Sequence, residues 1–157
     1  MRDGEGHAQF HGERLLIGTV RRLVRRGDCA AAAAAFEQTC GWAGRDACRT
    51  LQVFLQQLAL YGRRRLTLAL PFDPALTRDE RTILDVFGCA QLGAYAGMDD
   101  ALTDLVGGTP PASLGAAACV VAELLAINGC IVETGIVHEA AADRWSARDE
   151  VRATVGL

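Results

Sequence analysis

The sequence predicts a single domain built mainly from α-helices. Its 157 residues are enough for one globular domain and too few for two ordinary ones. Apolar residues make up 50% of the chain, which is enough to fill a core, whereas aromatic residues make up only 6%. Alanine is frequent, and small side chains favour closely packed helices over a sheet. We therefore predict a compact bundle of five to seven helices over residues 11–157, with at most a minor β ribbon, after a flexible N-terminal tail of residues 1–10.

Three helices are predicted in the first part of the chain. Residues 11–26 place apolar side chains on one face and arginines on the opposite face. Asp28 then has the position of an N-cap for an alanine-rich helix over residues 29–40. The third helix, residues 46–61, has the clearest helical period. Because the connections are short, we expect these helices to be antiparallel neighbours.

Three more helices are predicted in the middle of the chain. Thr77 and Glu80 have the spacing of a capping box, which begins a helix that runs to about Tyr95. Residues 99–106 predict a short acidic helix that ends at a pair of glycines. Residues 112–128 are apolar on every side but too few to span a bilayer, which places this helix at the centre of the bundle or in an oligomer interface.

Two segments depart from this helical pattern. Residues 66–70 alternate between leucine and other side chains, and the prolines that follow limit them to a short extended stretch. Residues 130–132 and 136–137 are β-branched fragments, and any minor β element would come from their pairing as a small hairpin or with the first extended stretch. A last helix is predicted over residues 138–155, and its lone Trp145 needs a surface to dock against.

Charge is divided unevenly along the chain. The net charge is −3 and all 16 basic residues are arginine, most of them in the first 65 residues, whereas most acids follow later. The basic part therefore contacts either an external polyanion or the acidic part, in the same fold or in a neighbouring subunit. We favour the second interpretation because the total charge is negative. The predicted interaction surface consists of Arg14, Arg21, Arg25, Asp99, Asp100 and Asp104.

The apolar helix over residues 112–128 contains a carboxylate, Glu123. A carboxylate in a core binds an arginine or takes up a proton, and either condition can mark a functional site. The alternative is that Glu123 lies on a narrow solvent-exposed edge of the helix or in a structural ion pair. A candidate ligand pocket beside this helix would be lined by Glu123, Cys119 and His138. The sequence does not identify a cofactor for it.

The six cysteines are interpreted as reduced thiols. The N-terminal residues have no apolar signal segment, so we expect a cytoplasmic location, and no membrane span is predicted. Since no CxxC motif is present, we predict no metal site. No GxSxG motif or glycine-rich phosphate loop occurs either, and we predict no catalytic residues.

Residues 76–84, LTRDERTIL, resemble the opening of the LuxR-type helix-turn-helix, with its Leu-Thr, Glu-Arg and apolar pair. The resemblance implies that a following helix reads the major groove of DNA. Here the following segment carries Asp99, Asp100 and Asp104, which phosphates repel, so helix capping alone explains the match better.

These observations favour a non-catalytic helical interaction or regulatory module. We expect it to form a homodimer or to bind another protein. The first alternative is a small-molecule or cofactor-binding protein with an apolar pocket beside residues 112–128. The second is a nucleic-acid binder that uses the basic first helix together with Arg63, Arg64 and Arg65.

Overall fold

Six α-helices follow one another in the computed structural model, which describes residues 5–133. They are α1 (Glu5–Arg26), α2 (Cys29–Cys40), α3 (Gly44–Tyr61), α4 (Arg78–Leu92), α5 (Tyr95–Val106) and α6 (Ala112–Ile127). A 3-10 turn, Gly41–Ala43, joins α2 to α3. The predicted helical bundle is confirmed, and the described residues contain no strand. The second half of the predicted hairpin and the predicted last helix with Trp145 lie outside the described residues.

The helix ends follow the capping signals of the sequence. Asp28 caps α2 by accepting a hydrogen bond from the N–H of Ala31. The predicted capping box of α4 is present, because the Thr77 hydroxyl and the Glu80 carboxylate each accept a bond from the other residue's backbone N–H. α4 is shorter than predicted because Gly93 adopts a left-handed conformation with φ of 70°.

α1 begins at Glu5, earlier than the predicted start, so residues 5–10 of the predicted tail belong to the helix. A long-range contact follows these residues in α1. A Cβ atom at Gly12 would lie 2.9 Å from the carbonyl oxygen of Ile131, so the segment after α6 crosses α1 with the two backbones in close approach.

The core lies where α3 packs against α2 and α6, and where α4 packs against α5 and α6. The rings of Phe54 and Phe87 meet there with centroids 5.1 Å apart. α2 and α3 approach especially closely, since a Cβ atom at Gly44 would lie 2.5 Å from the backbone of Phe36. In the part of the chain that the structure describes, every helix is too short or too polar to cross a bilayer.

Candidate functional site

A buried ion pair joins α1 to the start of α4. Arg21 is only 4% exposed, and Glu80 is completely buried. The Arg21 Nε lies 2.6 Å from Glu80 Oε1, and Nη2 lies 2.8 Å from Oε2, so the guanidinium and the carboxylate meet in a two-pronged contact. Hydrogen bonds of this kind, in which both partners are charged, are among the strongest in proteins.

Glu80 is fully engaged by groups of the protein. Besides Arg21, Oε1 accepts a bond from the N–H of Ala69 at 3.0 Å, and Oε2 accepts one from the N–H of Thr77 at 2.9 Å. Burial alone would raise the pKa of Glu80, but the hydrogen bonds from Arg21 and the two backbone N–H groups outweigh it and lower the pKa. The carboxylate is therefore charged at neutral pH.

Arg21 also binds the backbone of the segment that leads into α4. Its Nη1 donates to the carbonyl oxygens of Leu70 at 3.1 Å and Asp73 at 2.7 Å, and Nη2 donates to that of Ala75 at 2.9 Å. Together with the two bonds to Glu80, these contacts use all five N–H donors of a guanidinium. Residues 70–75, which we call the braced loop, are thus held to α1 by one buried side chain.

Side chains also hold residues 66–69, which precede the braced loop and which we call the extended segment. Asp79 accepts bonds from the N–H of Thr67 at 2.7 Å and from Arg64 Nη2 at 2.8 Å. The Thr77 hydroxyl donates to the carbonyl of Thr67, and Arg25 donates to that of Leu68. Residues 66–70 are thus neither helix nor strand, and within the described residues their backbone groups bond to side chains instead of a second strand.

Asp79 is the second buried carboxylate of this segment. Burial would raise its pKa, but the hydrogen bonds from Arg64 and the Thr67 N–H, together with the positive charges of Arg64 and Arg78, lower it. The two neighbouring carboxylates at the start of α4 therefore both remain ionised, and both anchor the extended segment.

The braced loop presents an aromatic ring to solvent. The N–H of Asp73 donates to the carbonyl of Leu70, and Asp73 Oδ1 accepts a bond from the N–H of Ala75, which closes a compact turn. Pro71 and Pro74 further restrict the backbone on either side of the tip. The side chain at the tip is Phe72, which is 87% exposed.

A groove runs between α1 and the braced loop. Its volume is about 440 Å³, and its lining combines apolar side chains with a few charged ones. The lining residues are Glu13, Arg14, Ile17, Gly18, Arg21, Pro71, Phe72, Asp73, Pro74 and Leu76. The floor of the groove is open at Gly18, since a Cβ atom there would meet no other atom within 4 Å. We call this surface the Phe72 groove.

A second cavity lies between α1 and α3 and is also lined by Leu66 and Leu68. It has a volume of about 230 Å³, and Arg64 is its only charged lining residue among those described. The apolar lining consists of Val20, Val24, Leu55, Leu58, Ala59, Gly62, Leu66, Leu68 and Ile83. We call this cavity the apolar cleft.

The structure divides the predicted interaction surface. Arg14 and Arg25 are exposed on α1, and Asp99 and Asp100 are exposed on α5. Arg21 lies in the interior instead of on that surface, because Glu80 and the braced loop enclose its guanidinium.

Asp104, the last residue of the predicted surface, lies between two arginines. Its carboxylate oxygens are 3.6 Å from Arg64 and 3.6 Å from Arg78. Arg21 and Arg64, from the basic part of the chain, thus pair with carboxylates of the acidic part inside one fold. This is the pairing that the charge division predicts for contacts within a single subunit.

The residues of the predicted ligand pocket do not meet in one cavity of the described chain. Glu123 is exposed on α6. Cys119 is partly buried, with its Sγ 3.8 Å from the sulfur of Met98, and it lines a shallow cavity of about 330 Å³ between α5 and α6 that does not include Glu123. His138 lies outside the described residues. Among the described residues, no group of three or more His, Cys, Asp or Glu side chains is arranged to hold a metal ion.

Comparison of the chain with known protein families, with curated proteins and with solved structures finds no match. The site therefore has to be interpreted from its own geometry.

The sequence indicated the capping role of Glu80 but not its pairing with Arg21, which is 59 positions away. It also gave no reason to select Phe72. The only local signal is an aromatic residue in the short sequence Pro71-Phe72-Asp73-Pro74, where a turn is expected and an apolar side chain has little core to enter.

Proposed function

We propose that this chain is a non-catalytic interaction module that binds a segment of another protein in the Phe72 groove. The observation that carries the proposal is the exposed Phe72 ring at the tip of a loop that the buried Arg21 holds in place. Arg21 and Glu80 are engaged with each other and with the loop, which gives this pair a structural task beneath the binding surface.

Two physical arguments support a docking role for Phe72. Burying a phenylalanine side chain is worth about 1.5–3 kcal/mol, so covering this ring would contribute substantially to binding. A loop already fixed in one conformation loses little further entropy when a partner binds, which is the advantage of preorganisation.

The charges around the groove suggest the chemistry of the partner. Arg14 lines the groove together with the acidic Glu13 and Asp73, and Arg22, Arg25 and Arg26 add exposed positive charge further along α1. These arginines favour a partner that carries carboxylates beside an apolar or aromatic anchor. We therefore propose an acidic segment with one large apolar side chain as the partner of the groove.

A selection experiment tests this proposal. A phage-displayed library of random peptides is selected on the full chain alone, and the enriched peptides are then assayed on the full chain and on the Phe72→Ala variant. We expect enriched peptides that share an aromatic or branched anchor flanked by Asp or Glu. Nuclear magnetic resonance titration should then place their binding at Ile17, Gly18 and Leu76. Enrichment of peptides that bind both proteins equally well would contradict the proposal.

A small apolar ligand is a second candidate, favoured by the lining of the apolar cleft. A cavity of about 230 Å³ is large enough for a small hydrocarbon. Titration with toluene should shift the methyl resonances of Val20, Leu58 and Leu66, and Ala59→Phe should abolish the shifts by filling the space. Toluene-induced shifts that are absent or spread over the whole protein would count against a site here.

Self-association remains a proposal of its own. The exposed arginines of α1 and the exposed Asp99 and Asp100 of α5 carry opposite charges that two copies can bring together. Light scattering at low and high salt should show a dimer that salt weakens, and a monomer at every concentration and ionic strength would exclude it.

We also propose a cytoplasmic location, since all six cysteines are free thiols.

A further inference from the structure

Two buried cysteines from distant parts of the sequence meet where α2 ends. Cys40 is the last residue of α2, and Cys130 lies in the short segment that follows α6. Cys40 is 1% exposed and Cys130 is 4% exposed. A hydrogen bond joins the two thiols, so their sulfur atoms are in direct contact. Contact between the sulfur atoms is the first geometric requirement for a disulfide bond.

The backbone of Cys130 is held on both sides of this contact. Its N–H donates to the carbonyl of Leu125 at 2.8 Å, and its carbonyl accepts a bond from Gln91 Nε2 at 2.8 Å. Gln91 Oε1 also accepts a bond from the N–H of Val132 at 2.8 Å. Cys40 is fixed in turn because it belongs to a helix. The pairing of the two thiols is therefore a property of the fold.

The hydrogen bond makes the two thiols chemically unequal. Burial raises the pKa of both, and the contact with Cys130 raises the pKa of Cys40 further, to about 11. The same bond acts in the opposite direction on the pKa of Cys130, which identifies Cys40 as the donor and the Cys130 sulfur as the acceptor. Because the thiolate is the reactive form of cysteine, Cys130 is the nucleophile of the pair.

We propose that Cys40 and Cys130 form a reversible disulfide within one chain when the protein meets hydrogen peroxide. The Cys130 thiolate attacks one peroxide oxygen and breaks the O–O bond, which leaves a sulfenic acid on Cys130 and releases one water after protonation. The Cys40 sulfur then attacks the Cys130 sulfur, and the S–S bond forms as the hydroxyl group leaves as a second water. The two sulfurs together lose two electrons and two protons, and the peroxide is reduced to two waters.

The Cys130 sulfur is accessible without the unfolding of a helix. Its neighbours Gly129 and Ile131 are both exposed, and the segment around it is neither helix nor strand. A local opening of this segment exposes the sulfur to a molecule as small as hydrogen peroxide. Cys48 and Cys89 lie within α3 and α4, so their exposure requires a helix to unwind.

The disulfide fastens the segment after α6 to α2 and closes a loop that contains α3, α4, α5 and α6. A cross-link around a loop of this length stabilises a protein mainly by restricting the unfolded chain. We expect the oxidised chain to melt roughly 4–16 °C above the reduced chain. The site does not use the Phe72 groove, so it is independent of the proposed function.

Mass spectrometry of the full chain tests the site. Cys29→Ser first removes the exposed thiol that would otherwise link two molecules. The folded variant is treated with hydrogen peroxide, and the remaining thiols are then alkylated with iodoacetamide in urea. We expect two thiols to escape alkylation, a peptide pair that joins residues 40 and 130 after proteolysis, and release of both thiols by dithiothreitol.

Single substitutions in the same background test the order of the two steps. In Cys40→Ala, a sulfenic acid should accumulate on Cys130 and be trapped by dimedone, because the second thiol is missing. In Cys130→Ala, dimedone should leave Cys40 unlabelled. The matched control is Cys48→Ala, which removes a thiol as buried as that of Cys40 and should leave the disulfide intact.

Several outcomes would overturn the inference. After peroxide treatment, every thiol of the folded chain could still be open to alkylation, or the link could join other cysteines. A link that forms in urea but not in the folded chain would come from unfolded molecules. Dimedone labelling of Cys40 as fast as that of Cys130 would refute the assigned order. An oxidised chain that melts no higher than the reduced chain would refute the stabilising role of the bond.

Discussion

Glu80→Gln removes one negative charge from the centre of the buried network and changes the side-chain shape very little. In the native protein each Glu80 oxygen accepts two hydrogen bonds, one from Arg21 and one from a backbone N–H. In the variant one of these oxygens becomes an NH₂ group, which points its hydrogens at two donors in either orientation of the amide. The guanidinium of Arg21 is left in the interior without its hydrogen-bonded carboxylate, and only the more distant charge of Asp73 still favours it.

The size of the effect follows from this geometry. Breaking a buried ion pair by removing one partner costs about 3–5 kcal/mol, because the remaining charge stays desolvated. A domain of this size loses roughly 2–4 °C of melting temperature per kcal/mol. We therefore expect the melting temperature of Glu80→Gln to fall by about 6–20 °C and its free energy of unfolding to fall by about 3–5 kcal/mol.

Urea unfolding followed by circular dichroism measures this change. The matched control is Glu37→Gln, which removes the partner of Arg45 in an ion pair that is exposed at the surface. Exposed pairs contribute about 0–1 kcal/mol, so the control should unfold almost like the parent chain. If Glu80→Gln were no less stable than Glu37→Gln, the buried pair could not be what holds the braced loop.

Three further predictions concern acid, thiols and glycines. The pKa of Glu80 is lower in the folded chain than its usual value of 4.5, so its stabilising contribution is present above that value and is lost as the pH falls through the folded pKa. The urea midpoint should therefore decrease on acidification, and Glu80→Gln should flatten this decrease. Burial and the neighbouring thiol of Cys130 raise the pKa of Cys40 to about 11, so about 0.1% of Cys40 is thiolate at pH 8. Iodoacetamide should therefore modify the exposed Cys29 first, and equal rates of modification of Cys29 and Cys40 by peptide mass spectrometry would refute this. Gly44→Ala should destabilise the protein by about 1–3 kcal/mol because its Cβ would meet the backbone of α2, whereas Gly18→Ala should stabilise it by about 0.5–1 kcal/mol. If calorimetry showed changes in unfolding free energy of the same sign for both variants, the packing would be contradicted.

Much of the fold is encoded in local sequence signals. Asp28 and the Thr77–Glu80 box begin their helices as predicted, because a cap satisfies backbone groups within three residues of itself. The helical period of α3 is likewise a local property. The predicted end of α4, about Tyr95, lies too far along the chain, although the left-handed Gly93 that ends the helix is also a local signal.

The site is harder to predict from the sequence because its contacts join residues that are far apart along the chain. On a helical wheel Arg21 belongs with Arg14 and Arg25, and only the packing of α4 shows that it faces a buried carboxylate. Glu123 presents the reverse case. It lies in the most apolar helix of the described chain and yet is exposed, since the pattern of α6 contains no polar face that would indicate which side meets solvent.

The affinity of a groove-selected peptide for Phe72→Ala, measured by isothermal titration calorimetry beside the parent chain, tests the central claim most directly. Phe72 is so exposed that its removal should leave the urea midpoint unchanged. As the main anchor of the groove, however, it should contribute about 2 kcal/mol or more to binding, which corresponds to a loss of affinity of roughly thirtyfold. An affinity that Phe72→Ala leaves unchanged, in a variant as stable as the parent, would contradict the account.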